Sequence, residues 1–136
     1  GKKMITSAMA AAKIIKTKII GVSVLTSLND DDISVLFQST TRDQIARFFK
    51  LANETGIDGI VCSPLELDLA ANILSPEILK ITPGIRDIEV SDDQSRTMTA
   101  NEAIKQGASY IVIGRPISKA LKAAEALKYF DQSINE

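Results

Sequence analysis

A chain of 136 residues, 45% apolar and 24% charged, has the size and composition of an ordinary globular domain. Its 16 Lys and Arg against 17 Asp and Glu leave a net charge of -1, so no basic field exists to hold nucleic acid or an anionic membrane, and any anion is bound at a local site. With no histidine and the single cysteine Cys62, these residues exclude imidazole acid/base chemistry, histidine metal ligation, disulfides and clustered thiolate zinc sites. A lone cysteine fits a reducing, cytoplasmic compartment. No apolar run reaches the ~18 residues of a membrane span, and Lys2-Lys3 followed by Met4-Ile5-Thr6-Ser7 is too broken for a signal peptide.

In chain order, Lys2 to Lys16 sets Met4, Ile5, Ala8, Met9, Ala11, Ala12 and Ile15 at helical spacing among lysines, which predicts an amphipathic helix. Lys18 to Leu25 is short and rich in β-branched residues, as a buried strand is. After a loop through Thr26-Ser27-Leu28-Asn29-Asp30, a short helix over Asp30 to Phe37 takes Asn29 as its cap. Thr41-Arg42-Asp43-Gln44 reads as a capping box for a helix reaching about Thr55 and closed by Gly56. Asp58 to Cys62 is strand-like. Ser63, Pro64 and Glu66 then supply an N-cap, a first-turn proline and a third-position acid for a helix ending near Leu74. Leu79 to Thr82 is a short strand running into Pro83-Gly84, and Ile85 to Met98 reads as a polar loop. Thr99-Ala100-Asn101-Glu102 is a capping box whose helix stops at Gly107, Ser109 to Ile113 is a strand, and Pro116 opens a last helix to about Phe130.

Strands separated by capped helices imply parallel pairing through right-handed crossovers, hence an α/β fold. An eight-unit (β/α)8 barrel uses about 31 residues per unit, so this length holds about four units plus the leading helix: half a TIM barrel. A five-stranded flavodoxin-like sheet also fits the length.

Two loops carry chemistry. Gly114-Arg115-Pro116 follows the last strand, so helix N-terminal N–H groups, a glycine allowing close approach and a guanidinium meet at one point, as a phosphate site requires. One strand earlier, Thr82-Pro83-Gly84-Ile85-Arg86 puts a second arginine on the corresponding loop, with Gln94 further along the same stretch. Barrels often hold phosphate on the loops after strands seven and eight, which these would be in a C-terminal half.

Ile81 to Arg86, Asp93-Gln94-Ser95-Arg96-Thr97-Met98-Thr99 and Tyr110 to Ile117, in that order, resemble orotidine 5'-phosphate decarboxylase of the bacterial type. The resemblance extends to Val24-Leu25-Thr26-Ser27, to Asp58 to Ser63, and to Gly1-Lys2-Lys3-Met4, which looks like the segment just after that family's fourth strand. It implies the C-terminal half of a (β/α)8 barrel, normally homodimeric, that converts orotidine monophosphate (OMP) to uridine monophosphate (UMP) and carbon dioxide without cofactor or metal, in pyrimidine synthesis. It further implies that Arg86, Gln94, Arg115 and the Gly114 backbone grip the substrate phosphate, that Thr26 and Ser27 meet the pyrimidine edge, and that Pro83 lines the base pocket. Thr26 and Ser27 also fit plain turn capping.

The family's reaction rests on an Asp-x-Lys-x-x-Asp motif and a nearby lysine, whose carboxylates crowd the substrate carboxylate while the lysine protonates the carbanion left behind. These 136 residues contain no such motif. Asp30-Asp31-Asp32 lacks a lysine at the required spacing and suits a solvated helix start, Lys18 begins a strand, and Lys80 stands too near a strand end. The resemblance therefore implies no catalytic residue within these positions, and a chain silent by itself. Its partners would be nucleotide and either an N-terminal half-barrel or a second copy joined through the open strand edges. A noncatalytic phosphate-ligand or interaction protein of the same descent, and a hexulose phosphate enzyme of the same superfamily, are the competing readings.

Overall fold

The computed structural model describes residues 1–86 and 98–134. The strand-rich runs become four short strands, β1 (Ile20–Val22), β2 (Gly59–Val61), β3 (Leu79–Thr82) and β4 (Tyr110–Ile111), all parallel and ordered β1-β2-β3-β4. The register aligns Ile20 with Gly59, Gly59 with Leu79, and Ile81 with Tyr110. Only glycine fits at position 59, because a Cβ there would stand 2.8 Å from the Ile20 side chain and 3.0 Å from both Cβ and the carbonyl oxygen of Leu79.

The helices start and stop where local chemistry directs. Helix α1 (Lys2–Ile15) ends at a left-handed Lys16. Asn29 caps α2 (Asp30–Phe37) through a full capping box, its side chain accepting from the Asp32 N–H at 2.9 Å while the Asp32 carboxylate accepts from the Asn29 N–H at 3.1 Å. Ser63 and Glu66 form a second box at a 3-10 turn, Pro64–Glu66, which leads into α4 (Leu67–Ile73). Thr99 and Glu102 form a third, opening α5 (Ala100–Lys105), and the Thr99 hydroxyl that donates to the Glu102 carboxylate holds that carboxyl below its ordinary pKa.

Three expectations change. The cap of α3 (Thr41–Thr55) is Thr40 rather than Thr41, since Thr40 Oγ1 accepts from the Asp43 N–H at 3.1 Å. Thr41 is released from capping because its hydroxyl donates to the Asp30 carboxylate of the neighbouring helix. The single last helix divides into α6 (Arg115–Ser118) and α7 (Ala123–Ser133), separated by a turn over residues 119–122. β1, β2 and β4 are also shorter than the runs that predict them, whereas β3 spans the expected Leu79 to Thr82.

Sequential parallel neighbours require every crossover to pass on one side of the sheet, and burial agrees. Ile60 and Cys62 face the helices in one apolar cluster with Phe49, Ile45, Leu67, Ala70, Ala103 and Phe130. The other face carries Ile20, Val22, Val61, Ile81 and Tyr110 by register and strand alternation. Val22 and Tyr110 there are 57% and 59% exposed, so this apolar face is uncovered.

Candidate active site

Parallel pairing brings the carboxyl ends of all four strands to one edge of the sheet, and both arginine loops leave from that edge. The opposite edge is a structural seam. There the Asp58 carboxylate accepts from the Ile19 N–H at 2.7 Å, and Asn53 ties the ends of α3 and α4 together through the Ile73 carbonyl and the Ser75 N–H.

On the carboxyl edge the expected residues occupy two groups. Pro83 and Arg86 follow β3, and Gly114 and Arg115 follow β4, its immediate neighbour. Gly84 turns the first loop at a φ of 84°, a conformation that favours glycine, and sends Ile85 fully into the core. Arg86 is buried, its guanidinium Nη1 donating to the Ile85 carbonyl at 2.8 Å and its backbone N–H to the Met98 carbonyl at 3.0 Å. Arg115, half-buried, begins the one-turn helix α6 with Gly114 as its cap. Gln94 lies outside the described residues.

Thr26 and Ser27 stand at the same edge, in the turn after β1 closed by the Leu28 N–H on the Leu25 carbonyl at 3.1 Å. Two strand spacings separate β1 from β3, about 10 Å, and β4 lies about 5 Å beyond. Between them, Ser63 after β2 is fully buried and held by the Glu66 carboxylate.

Sequence reasoning missed the pairing of Ile85 with Met98, which pins both ends of the segment after Arg86. Neither residue carries a turn or cap signal, so the polar stretch between them reads as loop throughout. Cys62 is no nucleophile: burial first, then the Glu66 charge, pushes its thiol up to about 12 against a smaller opposing effect of Lys80. Among the described residues no group of three His, Cys, Asp or Glu side chains converges as on a metal ion. A cavity of about 670 Å³ between α2 and α3 is lined by Asp30 and Asp31 and by none of the arginines of the two loops. Arg42 also lines it, beside the two carboxylates.

Residues 1–130 match the sequence model of the Orotidine 5'-phosphate decarboxylase / HUMPS family. The chain belongs to that family. An orotidine 5'-phosphate decarboxylase of a Wolbachia species from Brugia malayi is 43% identical over 136 residues, covering 99% of this chain and 60% of its own length. The decarboxylase of Nitrosomonas europaea is 39% identical, with 98% and 59% covered. The crystal structure of the Lactobacillus acidophilus decarboxylase superposes on the whole chain with a TM-score of 0.80 at 33% identity, over 60% of its length. This member of the decarboxylase family thus spans about 60% of the length of the curated relatives it matches. Its four parallel strands and their helices form part of the family's TIM barrel, the half expected from unit counting, and no flavodoxin-like sheet.

Proposed function

We propose that these residues are the phosphate-gripping half of an orotidine 5'-phosphate decarboxylase, a single half-barrel unit that binds OMP and UMP. The observation that carries the reading is the departure of the Pro83–Arg86 and Gly114–Arg115 loops from adjacent strands, so that two guanidinium-bearing segments start side by side at one sheet edge. A nucleoside monophosphate laid across the strand ends has its phosphate over β3 and β4. Its base then reaches back past Pro83 toward Thr26 and Ser27, a separation of about two to three strand spacings that suits a nucleotide. Gln94, from the same stretch as Arg86, adds a neutral donor to the phosphate. A cytoplasmic site of action goes with a soluble nucleotide substrate and with the buried, unreactive Cys62.

Arg115→Ala tests the grip. Losing a charged donor to a phosphate costs about 1.5 to 3 kcal/mol, so UMP affinity measured by calorimetry is expected to fall about 10- to 150-fold. UMP binding unchanged by the substitution refutes the assignment. Tight UMP binding that persists, without turnover, when the complementary half is supplied favours a noncatalytic phosphate-ligand protein.

The partner reading rests on the sheet. The outer edges of β1 and β4 are unpaired among the described residues, and the face bearing Val22 and Tyr110 is apolar and open. Such edges recruit strands. Isolated in solution, the 136-residue chain is expected to sediment as a dimer or larger species unless an N-terminal half-barrel occupies those edges. A monodisperse, folded monomer across a hundredfold range of concentration removes this reading.

A further inference from the structure

We propose that Thr82 is a positioning residue for the phosphate grip, acting through Arg86 on one side and through Gly114 and Arg115 on the other; the proposal rests on the phosphate reading above. Thr82 is the last residue of β3 and its side chain is fully buried. Its hydroxyl donates to the Tyr110 carbonyl on β4 at 3.2 Å, and its own carbonyl accepts from the Val112 N–H at 2.9 Å. One residue therefore fastens β4 by main chain and side chain together.

Beyond this point the two strands part. Pro83 has no N–H to continue the ladder, and Gly84 turns the chain at a positive φ. Among the described residues, the rung at Thr82 is thus the last main-chain tie between the segment leading to Arg86 and the segment leading to Gly114 and Arg115. The far side of the first segment is fixed separately, by the Arg86 N–H on the Met98 carbonyl. With that end pinned, the spread between the roots of the two loops depends on the β3–β4 rung, and the Thr82 hydroxyl restrains it in a place water does not reach. A spread that varies misaligns two charged donors on one phosphate, where alignment gives such contacts their strength.

The isosteric variant Thr82→Val keeps the shape of the side chain and removes the hydroxyl, while Thr82→Ser keeps the hydroxyl. UMP and uridine binding to the full 136-residue chain are measured by calorimetry, with folding followed by circular dichroism. UMP affinity is expected to fall about fivefold in Thr82→Val, the weight of one neutral hydrogen bond. Uridine affinity stays unchanged, and Thr82→Ser regains most of the UMP affinity. A merely structural role moves both ligands together. If Thr82→Val folds and binds UMP as tightly as the parent chain, the positioning role is overturned. If Thr82→Val does not fold, Thr82→Ser alone decides, and a fivefold loss there overturns it. Should Arg115→Ala leave UMP binding unaffected, the phosphate reading itself falls and this role with it, an outcome distinct from loss of the Thr82 effect alone.

Discussion

Incubated alone with orotidine 5'-phosphate, the 136-residue chain is expected to release no carbon dioxide above the uncatalysed rate. Contacts to a remote phosphate accelerate a reaction only when their binding energy is spent at the reacting centre, and the residues that do so in this family are carboxylates and a lysine in an Asp-x-Lys-x-x-Asp arrangement. No such arrangement occurs between Gly1 and Glu136. Breaking the bond to the departing carboxylate leaves an electron pair on the ring carbon, and a proton must be delivered there. Among the candidate donors Lys80 is half-buried on a strand whose side chains alternate, aligned with Ile60 on the helix-facing side, and Lys18 precedes β1 at the opposite edge of the sheet. Enzymes of all classes lower barriers by roughly 8 to 23 kcal/mol, so supplying the missing groups changes the rate by many orders of magnitude. Mixing the chain with the N-terminal portion of the Wolbachia relative, the part outside the match, is expected to restore turnover measured by loss of substrate absorbance. Decarboxylation by the purified chain alone, abolished by Arg115→Ala, overturns this expectation.

The second large effect is on stability. Phe49 lies on α3 with no exposed surface, in the cluster that joins α3 and α4 to β2. Truncating a fully buried phenylalanine to alanine removes its transfer free energy and leaves a cavity, a loss of about 3 to 5 kcal/mol. Domains of this size have only about 5 to 15 kcal/mol in total, and one apolar sheet face here is not buried at all. Phe49→Ala is therefore expected to remove about a fifth or more of the stability, read as a large drop in the urea midpoint. Val35→Ala on α2, where the side chain is 80% exposed, serves as the control and changes the stability by less than about 0.5 kcal/mol. Equal shifts for the two substitutions contradict the core described above.

The parts of the fold written in short-range chemistry are legible in the sequence. Asn29, Ser63 and Thr99 each stand three residues before an acid that completes the box, and all three boxes form. The Thr40-Thr41 doublet defeats the same logic, because either hydroxyl has a suitable partner three residues on and the choice is made by Asp30, eleven residues upstream of Thr41. The break between α6 and α7 carries no glycine or proline to announce it. For the site, strand-then-loop order was enough to put Arg86 and Arg115 at one edge, since parallel pairing leaves no other place for them. What sequence order does not contain is the Ile85–Met98 bridge or the Thr82 hydroxyl on Tyr110, both long-range contacts between residues that have no distinctive local signature.

The strand order β1-β2-β3-β4 follows the order of synthesis, each strand pairing only with its predecessor and successor in the sequence. During translation, each new strand and helix emerging from the ribosome finds its docking surface already made, with no waiting for a distant partner. Closure of short loops precedes that of long ones, and non-native pairings have little time to compete. The arginine loops are built last in that order. The sheet edge that carries both arginines is thus completed only when the final βα unit, β4 and α6, joins the sheet.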